Sequence, residues 1–163
     1  HVLVFVASKR TADNLVRKLT KNGIKAIAFH GNLHQADRID ALERFKAKKV
    51  RVLIATDIAA RGIDIIKLTH VINFDLPRSP ADYIHRIGRT GRAGESGTAI
   101  SFISHENQDH FALIEKRAQI KLEREQIEGF ELTGRPQKLV KGKAPVKGKR
   151  KSKKDRAREM DVM

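Results

Sequence analysis

Val2-Leu3-Val4-Phe5-Val6 is a continuous run of apolar, mostly β-branched side chains at the start of the 163-residue sequence. A strand with one face in solvent alternates apolar and polar residues, so an unbroken run predicts a strand covered on both faces. The next apolar residues, Ala12, Leu15, Val16 and Leu19, follow the spacing i, i+3, i+4, i+7, which predicts one stripe of a helix. A buried strand followed by an amphipathic helix is the first half of a β-α-β unit.

The same alternation continues to about residue 118. Further strands are predicted over 24–29, 50–55, 71–74 and 98–103, and helices over about 35–47, 79–87 and 105–118. The inward-facing residues predicted for the first and last of these helices are Ile39, Leu42, Phe45, Phe111, Ile114 and Ala118. We therefore predict an α/β fold, with a parallel β-sheet and helices on both faces. Ligands bind such sheets outside the carboxyl ends of the strands, in loops that begin here near Ser8, Gly31, Thr56, Asp75 and Ser104.

The net charge of +15 is unevenly distributed. Residues 1–134 hold 22 Lys or Arg against 16 Asp or Glu, whereas residues 135–163 hold 12 against 3. The second segment has almost no apolar residues, so we predict a folded domain over 1–134 and a basic, low-complexity, disordered tail over 135–163. A basic tail indicates a polyanionic partner, because neutralising phosphates releases counterions. The alternative is a tail that only increases solubility.

Composition also narrows the class of protein. The absence of cysteine excludes a disulfide framework and thiolate metal sites, and it is compatible with a reducing, cytoplasmic location. No apolar run approaches the ~18–20 residues that a membrane span needs. Because the sequence opens on a strand without an initiator Met or a charged leader, we interpret it as part of a longer protein.

The densest group of chemically active residues is the string His85-Arg86-Ile87-Gly88-Arg89-Thr90-Gly91-Arg92. Arginine suits phosphate because its planar fork donates two parallel hydrogen bonds and stays charged. Arg89 and Arg92 are three apart, so they project the same way from a helix or tight turn. Cations that only complement a helix dipole would explain one or two arginines. A dinucleotide-binding fingerprint has a different glycine spacing and follows a strand directly. The string therefore favours a phosphate site.

Two further strings follow predicted strands. In the stretch 55–64, Thr56 could bond a phosphate oxygen and Asp64 could accept from a ribose hydroxyl, although Asp57 could instead only cap a short helix over 58–60. Gln35-Ala36-Asp37-Arg38 begins a helix just after His30-Gly31. Free N–H groups and the dipole at a helix start favour phosphate there.

In combination, these strings resemble the C-terminal helicase domain of the DEAD-box proteins, in helicase superfamily 2. Residues 3–8 are similar to motif IV, 35–38 to the Q-x-x-R element, 55–64 to motif V, 70–77 to motif Va and 85–92 to motif VI. The resemblance covers about residues 1–130 with every motif in order. Ser8, where threonine is usual, is the one small departure. The resemblance implies a RecA-like sheet, related to the P-loop NTPases but without a P-loop of its own.

The resemblance implies an ATP-dependent RNA helicase, whose ATPase is stimulated by RNA. By position, Arg89 and Arg92 would reach the γ-phosphate of ATP, Asp64 and Gly62 would bind the nucleotide, and His85 would bridge to the acidic motif of a first domain. RNA-backbone contacts would come from Ser8, Gly31, Gln35, Arg38, Thr56 and Arg61. Because no G-x-x-x-x-G-K-[ST] string occurs, ATP and Mg²⁺ would be held mainly by a preceding N-terminal domain. We therefore expect no metal site in this chain and no activity from this chain alone.

Two alternatives stay open at this point. One is a non-catalytic RNA-binding module with a basic tail, which would have no need of two arginine fingers beside Asp64. The other is a DNA-acting superfamily 2 enzyme, which would usually differ in motif V and at His85, where many relatives outside the DEAD-box group have glutamine.

Deleting residues 135–163 tests the role of the tail. We expect weaker RNA affinity across sequences and a shallower salt dependence, because fewer counterions are released on binding. Titration of labelled RNA at several salt concentrations measures both quantities. An unchanged salt slope would reduce the tail to a spacer.

Overall fold

A computed structural model of the chain describes residues 1–61, 63, 68–91 and 96–134. Over this part, the sheet has five parallel strands in the order β2-β3-β1-β4-β5. These are β1 (Val2–Val6), β2 (Ala26–Phe29), β3 (Val52–Thr56), β4 (His70–Asn73) and β5 (Thr98–Ser101). The predicted α/β class and parallel sheet are confirmed.

Helices connect the strands. They are α1 (Lys9–Lys21), α2 (Gln35–Lys46), α3 (Asp57–Ala60), α4 (Pro80–Ile87) and α5 (Gln108–Ala118), the last preceded by a 3₁₀ turn over His105–Asn107. Two helix starts follow directly from side-chain capping. The Ser8 hydroxyl accepts the N–H of Thr11 at 3.0 Å, and the Ser79 hydroxyl accepts the N–H of Asp82 at 3.1 Å. Among the described helices, none is long and apolar enough to cross a bilayer.

The central strand β1 is covered on both faces, as its unbroken apolar sequence predicts. Leu3 and Phe5 pack on one face in a cluster with Phe45 of α2. Val4 and Val6 pack on the other, together with the apolar stripe of α1. A third cluster joins α4 to α5, where the rings of Tyr83 and Phe111 meet edge-on with centroids 5.6 Å apart.

The prediction that Ile39 faces inward is wrong. The residue is 49% exposed. Ala41 and Phe45, one turn apart, form the buried face of α2, with Leu42 partly buried beside them. Ile39 therefore lies away from the sheet, because the stripe of α2 begins later than the apolar spacing suggests.

Several strands are also displaced from their predicted bounds by one or two residues. Strand β2 begins at Ala26 rather than at residue 24, because the end of α1 takes up the intervening residues. The N–H of Ile24 bonds to the carbonyl of Leu19 at 2.9 Å, and Gly23 has a left-handed φ of +77°. This pair of features is the usual glycine-containing end of a helix.

The segment that follows α4 is held against the sheet by Thr90. Its hydroxyl donates to the carbonyl of Leu68 at 2.6 Å, and the two residues also form an isolated parallel bridge. Gly97 lies directly against this segment. A methyl group at position 97 would overlap the Thr90 hydroxyl and the backbone nitrogen of Gly91, so the close approach requires glycine.

The change Gly97→Ala is accordingly expected to destabilise the domain by about 1–3 kcal/mol, the usual effect of forcing an extra methyl into a closed space. Urea unfolding followed by circular dichroism measures the loss. Gly31→Ala is the matched control, because open space surrounds Gly31. The stability of this variant should equal that of the wild type or be slightly higher. Equal effects at both positions would contradict the packing argument.

Candidate functional site

An ion pair between the buried Arg86 and the partly exposed Asp57 forms the base of the site. Arg86 donates from Nε and Nη2 to the two carboxylate oxygens of Asp57, both at 2.7 Å. Its Nη1 donates to Asn73 Oδ1 at 3.0 Å and to the carbonyl of Asp75 at 2.7 Å. The guanidinium carbon lies 4.8 Å from the centroid of the Phe5 ring. Only 3% of the Arg86 side chain is exposed, so this charge depends on protein partners.

These bonds fix the relative positions of three segments. Asp57 begins α3, Arg86 lies in the last turn of α4, and Asn73 ends β4. Two charges that leave water together are stabilised only when the geometry is good and further hydrogen bonds are present. The forked contact and the two extra acceptors satisfy both conditions, so motifs V and VI are held in one arrangement.

A cleft of about 220 Å³ lies above this ion pair, at the carboxyl edge of the sheet between α3 and α4. Its lining consists of Phe5, Asp57, Ala60, Arg61, Asp82, His85, Arg86 and Arg89. Three arginines and two aspartates make the lining net positive even with a neutral histidine. The cleft is therefore suited to an anionic group.

Arg89 and His85 are placed at this cleft without a carboxylate partner among the described residues. Arg89 is half-buried, and its Nη1 donates to the carbonyl of Ile63 at 2.8 Å. His85 is exposed. Arg61 differs, because it pairs with Asp82 at 3.3 Å while 70% of its side chain remains exposed.

The Asp82 carboxylate carries the clearest electrostatic shift in the cleft. A hydrogen bond of 2.7 Å from the Ser79 hydroxyl is the main cause that lowers the pKa of Asp82 below its ordinary value of 3.8. Partial burial acts in the opposite direction, and the charges of Arg61 and Arg86 add to the lowering. Asp82 is therefore an anion at neutral pH and balances part of the positive lining.

The loops that hold the predicted RNA contacts occur at this same edge. The N–H of Ala7 bonds to Asp75 Oδ2 at 2.7 Å, which connects the loop after β1 with the loop after β4. Ser8 is exposed, but its hydroxyl already caps α1. Gly31 is exposed, and Thr56 stands half-buried at the cap of α3 without a side-chain bond to that helix.

The start of α2 has features of an anion site. His34 occupies the cap position without a side-chain hydrogen bond to the helix, so no side chain there satisfies the first-turn N–H groups. Arg38, one turn in, approaches Gln35 Oε1 at 3.4 Å and lies 5.2 Å from the centroid of the Phe29 ring. Its Nε is buried away from solvent and has no acceptor among the residues that the structure describes, so the exposed N–H groups of the helix start are the donors open to a ligand. Donors thus collect where the sequence predicts an RNA contact.

Other predicted site residues fall outside the described part of the chain. These are Gly62, Asp64, Arg92 and the tail over 135–163. The alternative role for Asp57, that of a helix cap only, is wrong. Thr56 holds the cap position, while Asp57 is the first helical residue and directs its carboxylate to Arg86. Among the described residues there is no group of three or more His, Cys, Asp or Glu that could hold a metal.

Sequence reasoning missed the separate role of Arg86. In the sequence, Arg86 is one of three arginines in a predicted phosphate-binding string. In the structure, its bonds to Asp57 hold that string in position. A local signal was available, because Arg86 and Ile87 follow Tyr83 at i+3 and i+4 and therefore continue the inward stripe of α4. An arginine on a buried stripe indicates a buried acceptor set, although the sequence does not identify Asp57 and Asn73 as its members.

Comparison with known proteins gives the family of the chain. The family model for the helicase conserved C-terminal domain matches residues 1–94. The DEAD-box ATP-dependent RNA helicase CshA of Bacillus licheniformis is 46% identical over 122 residues, which are 75% of this chain and 25% of CshA. The ATP-dependent RNA helicase DBP2 of Pyricularia oryzae is 50% identical over 106 residues, 65% of this chain and 19% of DBP2. Escherichia coli SrmB, solved with the regulator of ribonuclease activity A, has a TM-score of 0.78 at 37% identity, covering 83% of this chain and 79% of that chain.

This chain belongs to the helicase conserved C-terminal domain family. Within that family it is a RecA-like C-terminal helicase domain of the DEAD-box type, as the resemblance predicted. It spans about a fifth to a quarter of the two curated relatives described above.

The substitution Arg86→Ala should destabilise the domain by about 2–4 kcal/mol, because it leaves the buried Asn73 side-chain oxygen without its donor and the partly exposed Asp57 carboxylate without its cation. Urea unfolding measures the change. Arg61→Ala is the control, since it removes an arginine from an exposed pair and should cost less than about 1 kcal/mol. If the two variants lost the same stability, the buried network would not have the role described.

Proposed function

We propose that this chain is the C-terminal half of an ATP-dependent RNA helicase. In this proposal it supplies arginine fingers to ATP held on an N-terminal RecA-like domain and contacts the RNA backbone at the same edge of the sheet. The observation that carries the proposal is the position of Arg89, at a net positive cleft and without a carboxylate partner among the described residues. The names of the relatives, both ATP-dependent RNA helicases, support the same activity.

The cleft fits part of a nucleotide better than all of it. Its volume of about 220 Å³ is smaller than the ~300–1,000 Å³ of typical small-molecule sites. The sequence has no P-loop, and the described residues hold no metal-binding group. We therefore assign the rest of ATP, together with Mg²⁺, to the N-terminal domain. Mg²⁺ bound there would neutralise charge on the β- and γ-phosphates.

Among the described residues, Arg89 uses few of its donors, which suits it to a phosphoryl group. A guanidinium has five N–H donors, and the bond to Ile63 uses one of them. Arg92 lies three residues further along the chain and is the proposed second finger. Arginine fingers contribute on the order of 10³–10⁵ in rate, or roughly 4–7 kcal/mol of transition-state stabilisation.

The remaining roles follow the motif positions. Asp64 and Gly62 would bind the nucleotide, and His85 would reach the acidic motif of the N-terminal domain from its exposed position at the cleft. RNA-backbone contacts are assigned to Ser8, Gly31, Gln35, Arg38, Thr56 and Arg61. The uncapped start of α2 supports the contact at that helix.

These roles suggest how ATP and RNA are coupled. Both ligands would bind across the gap between the two domains, and closure would bring Arg89 and Arg92 onto the γ-phosphate. The same closure would bend the bound strand and separate a local duplex, and phosphate release would reopen the gap. The chain alone is expected to be inactive. Its cytoplasmic location stays a prediction.

Arg92→Ala in the full-length protein tests the assignment. Most RNA-stimulated ATPase should be lost, because one finger on the transition state is removed, while nucleotide binding should persist. Turnover with saturating RNA and binding of a fluorescent nucleotide measure the two effects. Arg92→Lys should not restore activity, because lysine lacks the forked contact.

Two controls complete that experiment. Arg117→Ala changes an exposed cation on α5 and should leave turnover near the wild-type value. DNA of the same sequence should fail to replace RNA, and stimulation by DNA would favour the DNA-acting alternative. Undiminished turnover in Arg92→Ala would refute the finger assignment.

A further inference from the structure

A second group of cations lies at the opposite edge of the sheet, where strands begin and helices end. It consists of Lys18, Lys21, Lys25, Lys46, Lys48, Lys49 and Arg51, and we call it the amino-edge patch. All seven residues are exposed, and none forms an ion pair with another described residue. Strand β3 is five residues long, so the patch lies roughly 15 Å from the carboxyl edge.

Backbone hydrogen bonds bring the segments of the patch together. The N–H of Arg51 bonds to the carbonyl of Lys25 at 3.1 Å, which joins the start of β3 to the start of β2. The N–H of Lys49 bonds to the carbonyl of Arg44 at 3.0 Å, which folds the end of α2 onto the same edge. The acid nearest in sequence is Glu43, and Asp40 is paired with Arg44. The local charge is therefore strongly positive.

Complementing helix dipoles explains only part of the patch. Lys18, Lys21 and Lys46 lie in the last turns of α1 and α2, where cations stabilise a helix. Lys25 and Arg51 instead precede strands, which have little net dipole. A helix-stabilising role therefore leaves the remaining cations of the patch unexplained.

Lys48 occupies a backbone conformation that lysine does not favour. The N–H groups of Lys48 and Lys49 bond to the carbonyls of Phe45 and Arg44, and Lys48 has a left-handed φ of 58°. Helix α1 ends with the same pattern of bonds, and there the left-handed position holds Gly23. Glycine is favoured at this position because a β-carbon is strained in it. A lysine at this position adds a positive charge but strains the backbone.

The composition of the patch indicates the chemistry of its partner. Protein–protein interfaces are enriched in aromatic residues and depleted in lysine. The amino-edge patch has six lysines and one arginine. Ile24, which lies between Lys21 and Lys25 in the sequence, is a large apolar residue with 40% exposure. Point charges without stacking groups suit phosphate backbones, which are bound without regard to base sequence.

We propose that the amino-edge patch binds the phosphate backbone of RNA outside the stretch that is held at the carboxyl edge. That the nucleic acid is RNA rests on the function proposed above. The patch would hold flanking RNA close to the domain, and its contribution would be sequence-independent and sensitive to salt.

The test is a triple variant, Lys25→Gln, Lys49→Gln and Arg51→Gln, in the 163-residue chain. Binding of a fluorescent 20-base-pair RNA is titrated at several salt concentrations. We expect roughly tenfold or greater loss of affinity at 0.1 M salt, and a slope of log affinity against log salt that is shallower by about 2–3, because three phosphate contacts are lost. A matched control, Lys116→Gln, Arg117→Gln and Lys121→Gln, removes the same charge near the end of α5, among several glutamates, and should have a much smaller effect.

Arg38→Gln at the carboxyl edge separates this proposal from the function proposed above. If Arg38→Gln weakens binding and the amino-edge triple variant behaves like its control, the patch proposal fails and the carboxyl-edge site stands. Loss of binding in the triple variant alone supports the patch and counts against the Arg38 contact. If the triple variant loses affinity for polyglutamate and keeps its affinity for RNA, the partner is an acidic protein and the proposal is overturned.

Lys48→Gly separates charge from folding at the same surface. Glycine relieves the left-handed strain, so the midpoint of urea unfolding should rise, while the affinity for RNA should fall by several-fold as one phosphate contact is lost. If Lys48 had only a structural role, replacing it with glycine would stabilise the fold and leave RNA binding unchanged. A stabilised variant with unchanged RNA affinity would overturn the proposal.

Discussion

The buried guanidinium of Arg86 is the constraint on which the site depends. A charge removed from water is tolerated only when its donors are satisfied, and here Asp57, Asn73 and the carbonyl of Asp75 accept four hydrogen bonds from it. Each acceptor comes from a segment adjoining the carboxyl edge. The hydrogen bonds that this one buried side chain requires therefore hold the segments of the carboxyl edge together. Arg89, three residues further along, has no carboxylate partner among the described residues and is the arginine proposed to bind a ligand.

The two edges of the sheet use charge in different ways. At the carboxyl edge, Arg86 pairs with Asp57 and Arg61 with Asp82, which sets the direction of these two guanidinium groups and limits the net charge. At the amino edge, the cations have no ion-pair partners among the described residues. The first arrangement favours a ligand of defined geometry, because directed forks match a phosphoryl group. The second favours a long polyanion, because unpaired lysines attract charge without fixing its orientation.

The sequence by itself determined the fold class and the order of motifs. An unbroken apolar strand is stable only between two layers, and Ser8 and Ser79 satisfy the first N–H groups of the helices that follow them. These are local properties, carried by neighbouring residues, so periodicity and capping predict them. The motif strings also predicted which loops would occupy one edge, because parallel strands place their carboxyl ends together.

Tertiary structure alone decided which arginine is structural. The partner of Arg86 lies 29 residues earlier, in Asp57, and no local pattern specifies a contact that forms only when the start of α3 and the end of α4 meet in the folded chain. The exposure of Ile39 has the same origin, since the buried side of α2 is set by its position on the sheet and not by its own periodicity. Strand formation, helix formation and capping depend on neighbouring residues, so the sequence predicts them. Burial and side-chain pairing depend on segments that are distant in sequence and adjacent only in the folded chain.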